Sequence, residues 1–537
     1  VVILRTMKTE FFPFSVTNQF ADTDVAYAEQ DERLRSYYKY TPRLSSFQEV
    51  IEDKSKDPID RDLLQSVLSE QYDVITSDTS QAAKQIEKLG KASTFTITTA
   101  HQPCLFTGPV FFIYKVMSAI KLARLLKSEY ASYDFVPVLV LGGEDHDFDE
   151  MNHANIFNKR IEWQNNETGS VGRMSTDSVK GALKDLQDIL GNSPFAQTIH
   201  SDLEKCLSAH VRYDVAMADW INHLLGSYGV IILRMDHMDL KRKAISLFTE
   251  ELTNQPSAAL VQDAQSELEQ AGIKAQAYVR EINLFYLTET KRERIVLEEG
   301  EYAVLNSDIR FTSNELMEHL SSHPDRFSPN VVLRPLYQEI ILPNLAYIGG
   351  GGELAYWLER KTQFEHFGIN FPMLVRRDSL LWLDKGTQKK MLKLNLTIDQ
   401  FFLRKDRIIS QFLKSHAAHE FQLKDEKGKI VDLFAEIATK AGNVDPTLVS
   451  TVEAEAKNQI KSLEHLEAKL KKAEKQRHEI EIKQIENIVD KLMPDGRPQE
   501  RHENFLSFFT RLEYRFFDAV LAAADPLDMQ LKVIHES

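Results

Sequence analysis

Cysteine is nearly absent from this chain: its 537 residues contain two, Cys104 and Cys206. They lie far apart and in no metal-ligand spacing, which excludes a disulfide framework and suits a reducing compartment. No apolar run approaches the roughly 18–20 residues a membrane span needs. The apolar stretch at 1–4 is cut off by Arg5, too early for the hydrophobic segment of a signal peptide. Low-complexity tracts are missing as well. Basic residues are outnumbered, 65 Lys and Arg against 80 Asp and Glu, for a formal net charge of −15. Such a chain repels a phosphate backbone, so a nucleic-acid partner is disfavoured. These absences point to a cytoplasmic protein with neither a membrane nor a nucleic-acid partner.

What is present is enough chain for two or three domains. Residues 7–92 read as mostly helical. Strand patterns follow at Thr94–Ala100, Val136–Leu141 and Val230–Met235, and again at Val331–Leu333, Leu345–Ile348 and Met373–Val375. Val136–Leu141 is apolar throughout, as a parallel strand covered on both faces should be. Between the strands stand a helix after Pro109, a largely helical stretch to 225, and a helix over Leu354–Phe364. Buried strands alternating with helices define an α/β fold, a Rossmann-like and mainly parallel sheet. We place this core at 1–385, with a helical insertion near 151–225 and a β-containing insertion near 270–322. Within the latter, Asn283–Thr288 and Arg294–Glu298 pair antiparallel. Residues 386–500 read as a helical coiled-coil hairpin, with Ile460, Leu463, Leu466 and Leu470 spaced near a heptad. Pro494, Gly496 and Pro498 end it, and 501–537 return to the core.

Three polar clusters fall at strand ends, where open parallel sheets bind ligands. The first is His101-Gln102 with Thr107-Gly108-Pro109 before a helix, whose free N–H groups suit an anion. His101 can donate to a phosphate or carboxylate or serve as a base near neutral pH; the plain alternative is that it caps local backbone. The second is Glu144-Asp145-His146-Asp147 and on to Glu150. Crowded carboxylates raise one another's pKa or recruit a cation or amine, and Asp145 with His146 forms a candidate carboxylate–base pair. A metal held by Asp145, His146 and His153 is a second reading of these residues, and a solvated acidic loop a third. The third cluster is Gly349-Gly350-Gly351-Gly352-Glu353, which either points amides at a phosphate or is a structural hinge. Cys104 is better read as a small buried apolar residue than as a nucleophile.

The chain resembles the bacillithiol-biosynthesis cysteine-adding enzymes essentially end to end. The resemblance is carried by the first two clusters, by Arg334-Pro335-Leu336-Tyr337-Gln338-Glu339, and by Leu342-Pro343. It continues in Gly349-Gly350, Gly352-Glu353 with Ala355-Tyr356-Trp357, and Gln499-Glu500-Arg501. It implies a ligase that joins L-cysteine to glucosaminyl-malate through an amide bond, the last step of bacillithiol formation. It implies catalysis by His101, Asp145 and His146, with His146 as the proton acceptor. Substrate contacts would come from Gln102, Thr107, Gly108, Glu144, Asp147, Tyr337, Gln338, Gly349, Gly350, Gly352 and Glu353. The resemblance further implies an adenine nucleotide (ATP or ADP) with Mg²⁺, and a second pocket that places Ser379, Leu380, Leu381 and Trp382 with Arg501 and Asn504. It implies a homodimer joined by the coiled coil. No KMSKS-type loop is present. Two rival functions remain from the residues themselves: a metal-dependent hydrolase or transferase built on Glu144–His153, and a nucleotide-sensing coiled-coil scaffold.

Overall fold

The computed structural model describes residues 7–416 and 422–536; the short apolar run at 1–4 lies outside them. The chain divides into two compact units, one formed by residues up to Trp382 together with 497 onward, the other spanning Leu383–Gly496.

The first unit is built on five parallel strands: β1 (Thr94–His101), β2 (Asp134–Leu141), β3 (Ile231–Arg234), β4 (Asn344–Gly349) and β5 (Met373–Arg376). Their spatial order is β5-β4-β1-β2-β3. The chain moves outward from β1 through β2 to β3, then returns to β1's other side with β4. The switch point of this doubly wound sheet therefore lies between β1 and β4, where the connections leave in opposite directions and open a crevice. β1 is rich in threonine, yet Thr94, Thr96, Thr98 and Thr99 are buried. The Thr99 hydroxyl donates to the Ile348 carbonyl at 2.8 Å, which satisfies a polar group inside the sheet. Val138, Leu139 and Val140 of β2 are almost fully buried, each worth roughly 1.5–3 kcal/mol of burial. Pro137, which has no N–H, falls one residue before β2 begins to pair with β3 at Val138.

Helix α1 (Phe111–Glu129) follows the first polar turn and is buried along most of its length. Helix α2 (Arg334–Ile341) precedes β4, and α3 (Gly351–Leu358) follows it. Val331–Leu333 is not a strand: it forms the turn leading into α2, because Asn330 Oδ1 accepts from the Val332 and Leu333 N–H groups and bends the chain there. The helix expected over Leu354–Phe364 is two helices, α3 and then Lys361–His366, broken at Glu359–Arg360. The segment 279–330 contributes an antiparallel sheet in which Leu284–Leu287 pairs with Arg292–Glu298. The stretch after 151 is not purely helical, since His153–Ile156 and Lys159–Glu162 form a hairpin first. At the other end of the chain, Leu531–His535 pairs antiparallel with Lys8–Phe12, and Ser379–Leu383 completes that three-stranded sheet.

In the second unit, α4 (Lys424–Val444) and α5 (Leu448–Arg477) form a hairpin turned by Asp445, whose carboxylate accepts from the Thr447 N–H. Lys427 reaches Glu467 across the hairpin at 2.6 Å. Ile460 and Leu463 are half-buried, whereas Leu466 and Leu470 are 49% and 43% exposed. The near-heptad residues share one side of α5, and exposure along it rises toward Leu466 and Leu470. Among the described residues no helix is long and apolar enough to cross a membrane.

Candidate active site

A cavity of about 570 Å³ opens at the carboxyl ends of β1, β2 and β3 and beside β4, at the switch point. All three polar clusters reach it. His101 and Gln102 come from the end of β1, Gly142 to Asp145 and Glu150 from the segment after β2, and Glu353 from α3. Asp236 follows β3; Arg334, Tyr337, Tyr347, Tyr356, Phe285 and Arg292 also line the wall.

The Glu353 carboxylate is the best-held group in the cleft. The Lys115 ammonium, projecting from the interior of α1, lies 2.6 Å from Oε2, the Tyr347 hydroxyl donates to Oε1 at 2.7 Å, and the Gly350 N–H donates to Oε2 at 2.9 Å. Burial pushes this carboxyl up, but Lys115 and the Gly350 N–H outweigh it and hold the pKa near 2. The glycine run therefore serves its own helix: the Gly350 amide belongs to Glu353, not to a phosphate. Gly351 is required sterically, since a Cβ there would stand 2.1 Å from the Asp24 carboxylate, which is itself buried against Arg376. Neither Gly349, Gly350 nor Gly352 lines the cavity.

His101 packs its ring against Phe111 and Phe112, with centroids 5.4 and 5.2 Å away. Burial first, then the Lys115 charge, pushes its pKa down to about 3. The ring is neutral at pH 7, so it can donate or accept a hydrogen bond but is too weak a base for the role read from its type alone. Cys104 Sγ lies 3.9 Å from His101 Nε2, and burial pushes its thiol up to about 12, which leaves it inert.

The second cluster is matched by cations that arrive from distant segments. Glu144 binds the buried Lys241, which also reaches Asp236 at 3.3 Å; Arg173 holds Asp236 at 2.8 Å. Burial raises the Glu144 carboxyl despite Lys241. Asp145 accepts from the Gln102 amide at 2.6 Å and lies 3.8 Å from Arg292. Burial pushes Asp145 up, but Arg292 and Gln102 hold it below the usual carboxylate range. His146 lies outside the cavity lining, and its Nδ1 sits 3.0 Å from Arg292 Nη1 and 3.7 Å from Asp145. Burial and Arg292 lower its pKa, so the expected Asp145–His146 base pair is replaced by an Arg292 contact. Asp147 caps the short helix Phe148–Met151. His153 contacts Asn152. Among the described residues no three His, Cys, Asp or Glu side chains are grouped to hold a metal ion, which leaves the hydrolase alternative without a ligand set.

Other expected contacts are engaged elsewhere. Tyr337 lines the cavity, but its hydroxyl donates to the Met235 carbonyl; Gln338 is buried between Arg334 and Glu339. Thr107 is buried with φ +75°, and the Asn504 amide donates to the carbonyls of Phe106 and Gly108, tying that turn away from the cavity. Ser379 and Leu380 hydrogen-bond Glu500, and the Trp382 N–H donates to Gln499. Leu381 is buried with them, and the Trp382 ring packs against Phe508 and Phe516. A nucleotide base finds no free face on this strand; Arg501 is exposed beside it.

Sequence reasoning missed Lys115, Lys241 and Arg292, and gave Arg334 no role. A lysine inside the apolar run Phe111–Met117 was the readable signal for the first. Arg292 lies in the β insertion and carried no local sign.

Fold and cleft define a doubly wound α/β protein with a cavity lined by charged side chains at its switch point and a helical hairpin. Comparison with known families is specific. Residues 7–378 match the model described as bacillithiol biosynthesis BshC, N-terminal Rossmann-like domain, and 380–536 match the BshC C-terminal coiled-coil domain. The chain is 36% identical to the protein named "Putative cysteine ligase BshC" of Flavobacterium johnsoniae, covering 98% of this chain and 100% of that one. It is 34% identical to the protein of the same name in Christiangramia forsetii, over 98% and 99%. The chain belongs to the BshC family of bacillithiol biosynthesis. A solved arginyl-tRNA synthetase-like chain from Campylobacter jejuni aligns at 10% identity over 87% of this chain and 95% of that one, with a TM-score of 0.21, too low to carry an argument.

Proposed function

We propose that this protein is a ligase that forms an amide between the carboxyl group of L-cysteine and the amine of glucosaminyl-malate, the last step in bacillithiol formation. The observation that carries this reading is the convergence of His101, Gln102, Glu144, Asp145 and Glu353 in one cleft of a chain whose relatives bear the ligase name. An amine substrate arrives as an ammonium, and Asp145 and Glu150 line the cavity as ionic partners for it. Glu144, raised by burial, is the cleft carboxylate best suited to take its proton. The amine lone pair then attacks the activated cysteine carbonyl, the C–N bond forms, the activating group leaves with the C–O bonding electrons, and the second proton on nitrogen is released to water. Neutral His101 and the Gln102 amide supply hydrogen bonds, and Lys115 and Arg292 neutralise the acids around them.

Joining a carboxylate to an amine in water is uphill without activation, so the proposal includes ATP with Mg²⁺ as co-reactant. The Ser379–Trp382 strand does not fit an adenine site, and no step is assigned to it. The protein is further proposed to act in the cytoplasm as a homodimer paired through the α4–α5 hairpin.

The test is mass spectrometry of purified protein with L-cysteine, glucosaminyl-malate, ATP and Mg²⁺, beside a reaction without ATP. Conjugate formed only with ATP is the expected result. Conjugate in both tubes overturns the activation step, and none in either overturns the ligase reading.

A further inference from the structure

Among the described residues, the cations that line the cavity or hold its acids are paired, with one exception. Lys115 has Glu353, Lys241 has Glu144 and Asp236, Arg173 has Asp236, and Arg292 has Asp145 together with the Ser328 hydroxyl and the Pro329 carbonyl. The exception is Arg334, the first residue of α2, half-buried in the cavity wall. Its Nη1 donates to Gln338 Oε1 at 3.0 Å and the Tyr356 hydroxyl adjoins it, but no carboxylate among the described residues forms an ion pair with it. The acid whose charge it feels, Glu353, is already bound by Lys115, Tyr347 and Gly350.

A guanidinium presents five N–H donors in a planar fork that matches a carboxylate. Arg334 is half-buried, hydrogen-bonded to Gln338 and lying over the Tyr347 ring at 5.8 Å, and its charge in the cavity wall is left for an anionic ligand to match. The carboxyl that reacts cannot be that ligand, because it loses its charge on becoming an amide. A carboxylate that takes no part in the chemistry keeps its charge from binding to release and can anchor the molecule throughout.

We propose that Arg334, with Tyr356 beside it, is the receptor for a free carboxylate on the amine-bearing substrate, and that it selects an acceptor that carries a carboxylate over an amino sugar that lacks one. The inference rests on the ligase reading for the identity of that acceptor, whose malyl arm carries such carboxylates.

The experiment is calorimetric titration of the full chain with L-malate alone, for the wild type, Arg334→Gln and Arg334→Lys. Wild type binds saturably, Arg334→Gln binds about thirtyfold or more weakly, and Arg334→Lys, which keeps the charge but loses the fork, falls in between. Equal affinity in wild type and either variant overturns the proposal, as does a wild type that does not bind malate. Should Arg334→Gln fail to fold by circular dichroism, Arg334→Lys decides alone. Malate binding needs neither cysteine nor ATP. Binding lost on substitution in a protein that makes no conjugate upholds the carboxylate site and overturns only the ligase. Conjugate made by Arg334→Gln with unchanged KM for glucosaminyl-malate does the reverse.

Discussion

Replacing Glu353 by Gln tests whether the cleft is organised by the Lys115–Glu353 pair. Both partners are withdrawn from water, with side-chain exposures of 1% and 26%. A carboxyl near pKa 2 in the folded chain and about 4.3 in the unfolded one stabilises the fold by roughly 3 kcal/mol. Because the folded value is depressed, that stabilisation is complete above about pH 4.3 and disappears as pH falls through about 2. Urea unfolding followed by tryptophan fluorescence is a direct assay, since Trp357 is buried one turn along α3. At pH 7 Glu353→Gln should lose about 3 kcal/mol, and its deficit against wild type should narrow between pH 5 and pH 3. Lys115→Met leaves a partly buried carboxylate unmatched and should cost about as much, roughly 3–5 kcal/mol. The double variant should be less destabilised than the two losses added, by about 2 kcal/mol or more. Strictly additive losses, or a Glu353→Gln protein within about 0.5 kcal/mol of wild type, would refute the account of the pair.

Two further outcomes follow from the same structure. Glu144→Gln should slow conjugate formation by about a hundredfold or more; wild-type rate should fall on the acid side as the raised Glu144 carboxyl takes up its proton, a limb the variant's pH profile should lack. A homodimer joined through the hairpin should have a light-scattering mass of twice 61.7 kDa, and replacing exposed Leu466 and Leu470 by Lys should return it to monomer mass; a wild-type monomer would refute the pairing.

The sheet was readable because burial on both faces leaves a pattern no other element imitates. Val136–Leu141 is apolar throughout, and β1, although threonine-rich, is β-branched along its length. Val331–Leu333 carries the same residue types, but three residues cannot distinguish a strand from the approach to a helix, and the Asn330 side chain decided it by holding the turn before α2. The Leu354–Phe364 helix read as continuous because its apolar residues recur at helical spacing on both sides of Glu359–Arg360; Glu359 instead accepts the Gln276 and Ala277 N–H groups from another segment. On the hairpin, a heptad count registered Leu466 and Leu470 with Ile460 and Leu463, although only the latter pair is half-buried.

The site was legible in its position and illegible in its protonation. Strand-end logic brought His101, Glu144, Asp145 and Glu353 to one cavity, because the chain path of a doubly wound sheet determines where those ends gather. Which of them acts as acid or base depends on side chains that the sequence separates widely. Lys241 stands 97 residues from Glu144 and Lys115 238 from Glu353; burial outweighs Lys241 and raises Glu144, whereas Lys115 and the Gly350 N–H together outweigh burial and lower Glu353. His101 and His146 looked like bases from residue type, but burial first and then neighbouring positive charge lower both, His101 to about 3. In the proposed ligase the proton acceptor is Glu144, a residue whose sequence neighbourhood gives no reason to prefer it over Asp145, Asp147 or Glu150. Among the described residues, Arg334 is the cation of the cavity wall that no acid matches, which makes it more informative about the substrate's acidic group than any motif around it.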